Sequence, residues 1–231
     1  MSEAFYNAKN LTVSNGFVRN PDRYYLEEYF VQRPVLNADI QNSAESTRMI
    51  ANSNFEILGA NASSALTSFS LVEAGVVLTT DTADNDQVIV LPHLDTNQTA
   101  WTGILWGTEN QVEWECAIRT GASIANVGIW AGLRSVTGAS QDSGSTGASY
   151  ANDNNQAMFL FATNNDMGAI TTNANLHFVY SIAGTDYITD LGIALAASTT
   201  YKLRIVIDSN RQVAVYVNGV QYGLVTSSTA G

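Results

Sequence analysis

Residues 201–222 read YKLRIVIDSNRQVAVYVNGVQY, and the fold is read outward from them. Tyr201, Leu203, Ile205 and Ile207 alternate with Lys202, Arg204 and Asp208, the period of a strand with one buried face. Asp208-Ser209-Asn210-Arg211 is polar and turn-forming, and Val213, Val215 and Val217 resume the alternation. Asn218-Gly219 follows, the dipeptide suited to the two positive-φ positions of a type I′ hairpin turn. The stretch predicts three antiparallel strands joined as a meander.

Upstream, short strands are expected at 55–58, 68–72, 76–80, 87–91, 112–120, 127–134, 156–161, 176–182 and 187–189, with Gly and small polar residues between them. Segments 112–120 and 127–134 are expected to pair with each other around Gly121-Ala122-Ser123. Turn signals at this spacing, with no long amphipathic helix, predict an all-β chain built as a two-sheet antiparallel sandwich. At 231 residues the chain fits one large β body over 55–231, preceded by a segment of different character over 1–54.

Composition narrows the function classes. The apolar fraction of 45% suffices for a sizeable core, whereas the charged fraction is only 13%. The polar surface is therefore built from Asn, Ser, Thr and Gln. Net charge is −11, and residues 51–231 hold five basic and fifteen acidic side chains. Phosphate neutralisation needs clustered Lys and Arg, so nucleic acid is not an expected partner. No apolar run reaches the roughly 20 residues of a membrane helix, and Met1-Ser2-Glu3 does not open a secretory signal. Cys116 is the single cysteine, which rules out an intramolecular disulfide. Strand alternation sets it on the same face as Trp114 and Ile118, as an inert core thiol.

Two resemblances rest on particular residues. Y-x-L-x-I-x-I-D over 201–208, then a turn and V-x-V-Y-V-N-G over 213–219, resembles the late strands of concanavalin A-like lectin/glucanase jelly rolls. Segments ADNDQVIVLPHLDTNQTAW (83–101), GTENQVEWECAIRT (107–120) and SIAGTDY (181–187) resemble the jelly roll that recurs in structural proteins of tailed-phage virions. The likeness runs from about Asn10 to the end. It implies a concanavalin A-like jelly roll acting as a capsid decoration or fibre component. The location it implies is the virion, assembled in the host cytoplasm. The partners it implies are the major capsid protein or other virion proteins. A homo-oligomer is also expected, and no catalytic residues come with the likeness.

Residues 1–54 are expected to form an extended N-terminal arm with short helical turns, one near 24–30 after Asp22 and one over 38–50. The arm holds Pro21 and Pro34 and is dense in aromatic and basic residues without periodicity. Phe5, Tyr6, Phe17, Tyr24, Tyr25, Tyr29 and Phe30, with Arg19, Arg23 and Arg33, are the expected anchoring contacts. Their burial partner is the sandwich itself, a sister subunit or a capsid surface.

Candidate chemistry is sparse. Glu113 and Glu115 share one strand face, as the carboxylates of jelly-roll glucanases do. Those enzymes resemble Glu-x-Asp-x-x-Glu, whose third acid is here Ile118, so no enzyme is expected. Asp81, Asp84 and Asp86 are weak candidates for a calcium ion, in a spacing that matches no EF-hand. His93 and His177 form no ligand pair, so no other metal or cofactor is expected. Trp101 and Trp106 flank a Gly-containing loop and could stack on a sugar ring, which makes a carbohydrate-binding attachment module the alternative function. After Leu224-Val225 the sequence runs out in small polar residues. The related jelly rolls continue with one or two further strands, so either a sheet edge stays open or the chain is a fragment.

Overall fold

The computed structural model describes residues 27–30, 40–42, 45–49, 55–58, 67–70, 72, 75–80, 88–92, 111–134, 155–163, 174–182 and 185–225. Every helix or strand within them is a strand. The chain divides into two compact units, 1–102 and 103–231.

In the first unit, β1 (Ile40–Asn42), β2 (Glu45–Met49), β3 (Phe55–Leu58) and β6 (Ile89–Pro92) form an antiparallel sheet in the order β1-β2-β3-β6. β4 (Thr67–Ser70) and β5 (Gly75–Leu78) form a separate hairpin. The short helix expected over 38–50 is instead two strands. Ala, Glu, Gln, Arg and Met give that stretch a helical propensity, but propensity is a weak prior. Here the ladder prevails: Arg48 stands opposite Ile57 and Met49 opposite Glu56. Residues 27–30 are not helical either, and Phe30 has φ 50°.

The second unit contains two four-stranded antiparallel sheets. β8 (Gly128–Arg134), β9 (Asn155–Ala162), β10 (Asn175–Ile182) and β11 (Thr185–Ala194) form one as a simple up-and-down meander, in the order β11-β10-β9-β8. The other contains β7 (Val112–Arg119), β12 (Thr200–Ile207), β13 (Val213–Val217) and β14 (Val220–Val225), in the order β14-β13-β12-β7. The expected pairing of 112–120 with 127–134 does not occur. β7 pairs with β12, with Arg119 opposite Thr200 and Val112 opposite Ile207, while β8 pairs with β9. The Gly121 turn therefore carries the chain from one sheet to the other.

Two threonines fix this crossing. Thr120 Oγ1 donates to the Ala196 carbonyl at 2.6 Å and accepts from Thr199 N–H at 3.0 Å. Thr163 Oγ1 donates to the Ile124 carbonyl at 2.6 Å and accepts from Val127 N–H at 2.9 Å. Backbone groups that would otherwise lack partners at the sandwich end are satisfied this way.

Both sheets contribute to one core, the arrangement of a β-sandwich. β12 and β13 turn Leu203, Ile205, Ile207, Val213, Val215 and Val217 into it, and β9 and β10 supply Phe159, Phe161, Leu176, Phe178 and Tyr180. Phe159 and Phe178 meet edge to face with ring centroids 5.6 Å apart, a favoured aromatic geometry. β9 and β10 are buried on both faces, since Leu160, Ala162 and Val179 form a second apolar cluster. Such burial accounts for their nearly unbroken apolar sequences.

The meander forms as its sequence predicts. Asn218 and Gly219 have φ 52° and 81°, and Val217 faces Val220 across the turn. At the other turn, Asp208 Oδ1 accepts from the N–H groups of Asn210 and Gln212 at 2.8 and 2.9 Å. Arg211 there takes the left-handed conformation, φ 63°.

Candidate functional site

The period-two alternation that buries one side of β7, β12 and β13 sends the other side outward. Cross-strand register aligns the outward residues in rows. Glu115 stands opposite Arg204, Arg204 opposite Tyr216, and Tyr216 opposite Gln221. One row of four polar or aromatic residues thus crosses all four strands. Its neighbour contains Glu113, Val206 and Ala214.

Arg204 organises this face. Its Nη2 lies 3.0 Å from Glu113 Oε1 on the diagonal, although Glu115 is its register partner. Its guanidinium carbon sits 5.4 Å from the centre of the Tyr216 ring, a cation–π distance. Both members of the ion pair are about two-fifths exposed, so the pair orients the side chain more than it stabilises the fold. Arg204 Nε is shielded and lacks a hydrogen-bond acceptor. Beside it lies a recess of about 220 Å³ lined by Glu115, Lys202, Leu203, Arg204, Tyr216 and Gly219. In the adjoining turn the Asn218 side chain accepts Lys202 N–H at 2.9 Å. The recess offers a carboxylate, an ammonium group and an aromatic ring. Those groups can grip a small polyhydroxylated ligand.

Glu113 and Glu115 do share the outward face, as their spacing predicts. Cys116 faces the other way, between Trp114 and Ile118, and burial pushes its thiol pKa up. Both features suit a packing thiol. His177 is buried, with Nδ1 2.9 Å from the Asn175 carbonyl. Among the described residues no group of three or more His, Cys, Asp or Glu is placed to hold a metal ion. No helix among them is long and apolar enough to cross a membrane.

Of the expected anchoring residues, two are described. Phe30 packs edge to face on Phe55, with centroids 5.8 Å apart, while Tyr29 beside it is 69% exposed. Phe5, Tyr6, Phe17, Arg19, Arg23, Tyr24, Tyr25 and Arg33 lie outside the described residues, as do Trp101, Trp106, Asp81, Asp84 and Asp86. Sequence reasoning missed the row of Arg204 and Tyr216. The Asn218-Gly219 turn does encode half of it, because a two-residue hairpin places Tyr216 opposite the residue after Val220. Compared with family models, curated proteins and solved structures, the chain matches none.

Proposed function

We propose that the chain is a structural virion protein of a tailed bacteriophage. In this reading it is a capsid decoration protein, anchored by its N-terminal arm and displaying a lectin-like jelly roll. It is assembled in the host cytoplasm, binds the major capsid protein, and does no catalysis. The observation that carries the reading is the Tyr29–Phe30 pair. One ring is docked on Phe55 and its neighbour is left 69% exposed. An arm that is fixed by one aromatic and presents the next has the chemistry of a clamp between its own body and a second surface. The virion-type segments at 83–101, 107–120 and 181–187 and the weakly charged surface support the same reading.

The test is incorporation into particles after removal of residues 1–29, which takes away the exposed Tyr29 and leaves Phe30 on Phe55. Truncation at residue 50 is unsuitable, because it strips β1 and β2 from the sheet they share with β3 and β6. The shorter protein is expected to stay folded and to be absent from purified particles. Full occupancy of capsids by that protein sinks the proposal.

The recess beside Tyr216 favours a second reading, attachment to host or surface glycans. A carboxylate and cationic donors around an aromatic ring suit sugar hydroxyls and the apolar face of a pyranose. A glycan array with wild-type protein and Tyr216→Ala tests it. Binding that disappears in the variant supports this reading, and uniform absence of binding dismisses it.

A further inference from the structure

We propose that β14 is a seam between two copies of this chain. The copies pair antiparallel along it about a two-fold axis between Tyr222 and Gly223, which joins two four-stranded sheets into one of eight strands. Among the described residues β14 is the outer strand of its sheet. Val220, Gln221 and Tyr222 are all exposed, and Val220 (56%) and Tyr222 (44%) are the exposed large apolar side chains described in the 103–231 unit. The strand reads VQYGLV. It has neither the charges nor the proline with which open edges are protected against pairing.

The other strand edges of this unit differ. β7 carries Glu113, Glu115 and Arg119, and β11 carries Asp186 and Asp190. The described side chains of β8 are half-buried from Ile129 to Leu133. For a chain of net charge −11, β14, unlike β7 and β11, is an edge where two copies meet without setting acid against acid, and its Val220, Gln221 and Tyr222 are more exposed than the half-buried side chains of β8. This charge pattern selects a second copy over a basic or acidic partner.

Register supports the same seam. Val217 and Val220 close a two-residue hairpin and bond to each other, so alternation points the backbone N–H and C=O of Gln221 outward. A bulge follows, in which Tyr222 is the extra residue. Pairing resumes with Gly223 opposite Val215 and Val225 opposite Val213, which leaves the Leu224 backbone outward as well. A copy running antiparallel with Gln221 facing the partner's Leu224 satisfies both outward positions, and symmetry repeats the pair. That register sets Tyr222 against the partner's Gly223, where an aromatic ring covers a bare strand position. The contact is isologous, so it closes at two copies.

Sedimentation of the full chain in free solution tests the seam independently of any particle. The expected mass is twice 24.8 kDa. Gln221→Pro removes only an outward donor, and Tyr222→Lys brings two ammonium groups near the axis. Each is expected to weaken dimerisation by about tenfold or more while circular dichroism stays unchanged. Arg119→Ala on the opposite edge is expected to leave the dimer intact. Should Gln221→Pro disturb folding, Tyr222→Lys carries the test alone, since that side chain is already exposed. A wild-type monomer at every concentration reached, or edge variants that associate as tightly as wild type, overturns the proposal.

Discussion

Gly132 in β8 is held at φ +151°, where a Cβ would come within 2.7 Å of Met158 Cα and 3.1 Å of Ile205 Cδ1 across the core. The first obstacle is backbone of the neighbouring strand, which cannot move aside without breaking the β8–β9 ladder. Gly132→Ala is therefore expected to cost about 3 kcal/mol, read as a lowered midpoint in urea unfolding. Tyr180 poses a different demand. Its ring belongs to the core, yet its hydroxyl must find a partner, and it donates to the Arg211 carbonyl at 3.2 Å. That bond ties β10 to the turn between β12 and β13. Burial pushes the hydroxyl pKa up from 10.0, the Arg211 guanidinium opposes this and the Asp208 carboxylate adds to it. A group whose pKa rises on folding favours the native state below its unfolded pKa. That contribution fades as pH climbs through the folded value. Tyr180→Phe is expected to lower stability by about 1 kcal/mol at neutral pH. The loss should shrink above pH 10, as thermal melts at the two pH values can show.

At the scale of elements, the β13–β14 hairpin depends on a turn that matches the strand twist. A Cβ at Gly219 would meet no atom within 4 Å, so Gly219→Ala carries only the backbone penalty of φ 81°. About 1 kcal/mol is expected, with the native spectrum retained. That turn also explains what was legible in the sequence. The residues that make the meander are neighbours in the chain, and alternation plus one dipeptide specify their pairing. The β7–β12 ladder joins segments that no local signal connects. Gly121-Ala122-Ser123 announces a change of direction but not a change of sheet. β1 and β2 were obscured for the opposite reason, because residues that favour a helix in isolation were captured by the open edge of β3. β11 runs from Thr185 to Ala194, well beyond the expected 187–189. Gly192 hid that extension, and its N–H is in fact held by Asp190 Oδ1 at 2.7 Å. The recess on the outer face needs Glu115 beside Arg204, so it inherits the illegibility of the long-range ladder.

At the scale of the whole molecule, every member of the core cluster shared by the two four-stranded sheets lies, among the described residues, between Val112 and Val217. A fragment covering 103–231 is therefore expected to melt in one cooperative transition with a β-type spectrum. A broad, non-cooperative melt would show that its core is not self-sufficient. The position of β7 has a further consequence, for synthesis. Its partner β12 is translated about 80 to 95 residues later, since Arg119 waits for Thr200 and Val112 for Ile207. At bacterial elongation speeds of about 5–20 residues per second, the delay is roughly 4 to 19 s. Throughout it, Val112, Trp114, Cys116 and Ile118 leave the ribosome with no ladder to join. A nascent chain stalled before residue 200 should therefore be the form most readily bound by a chaperone.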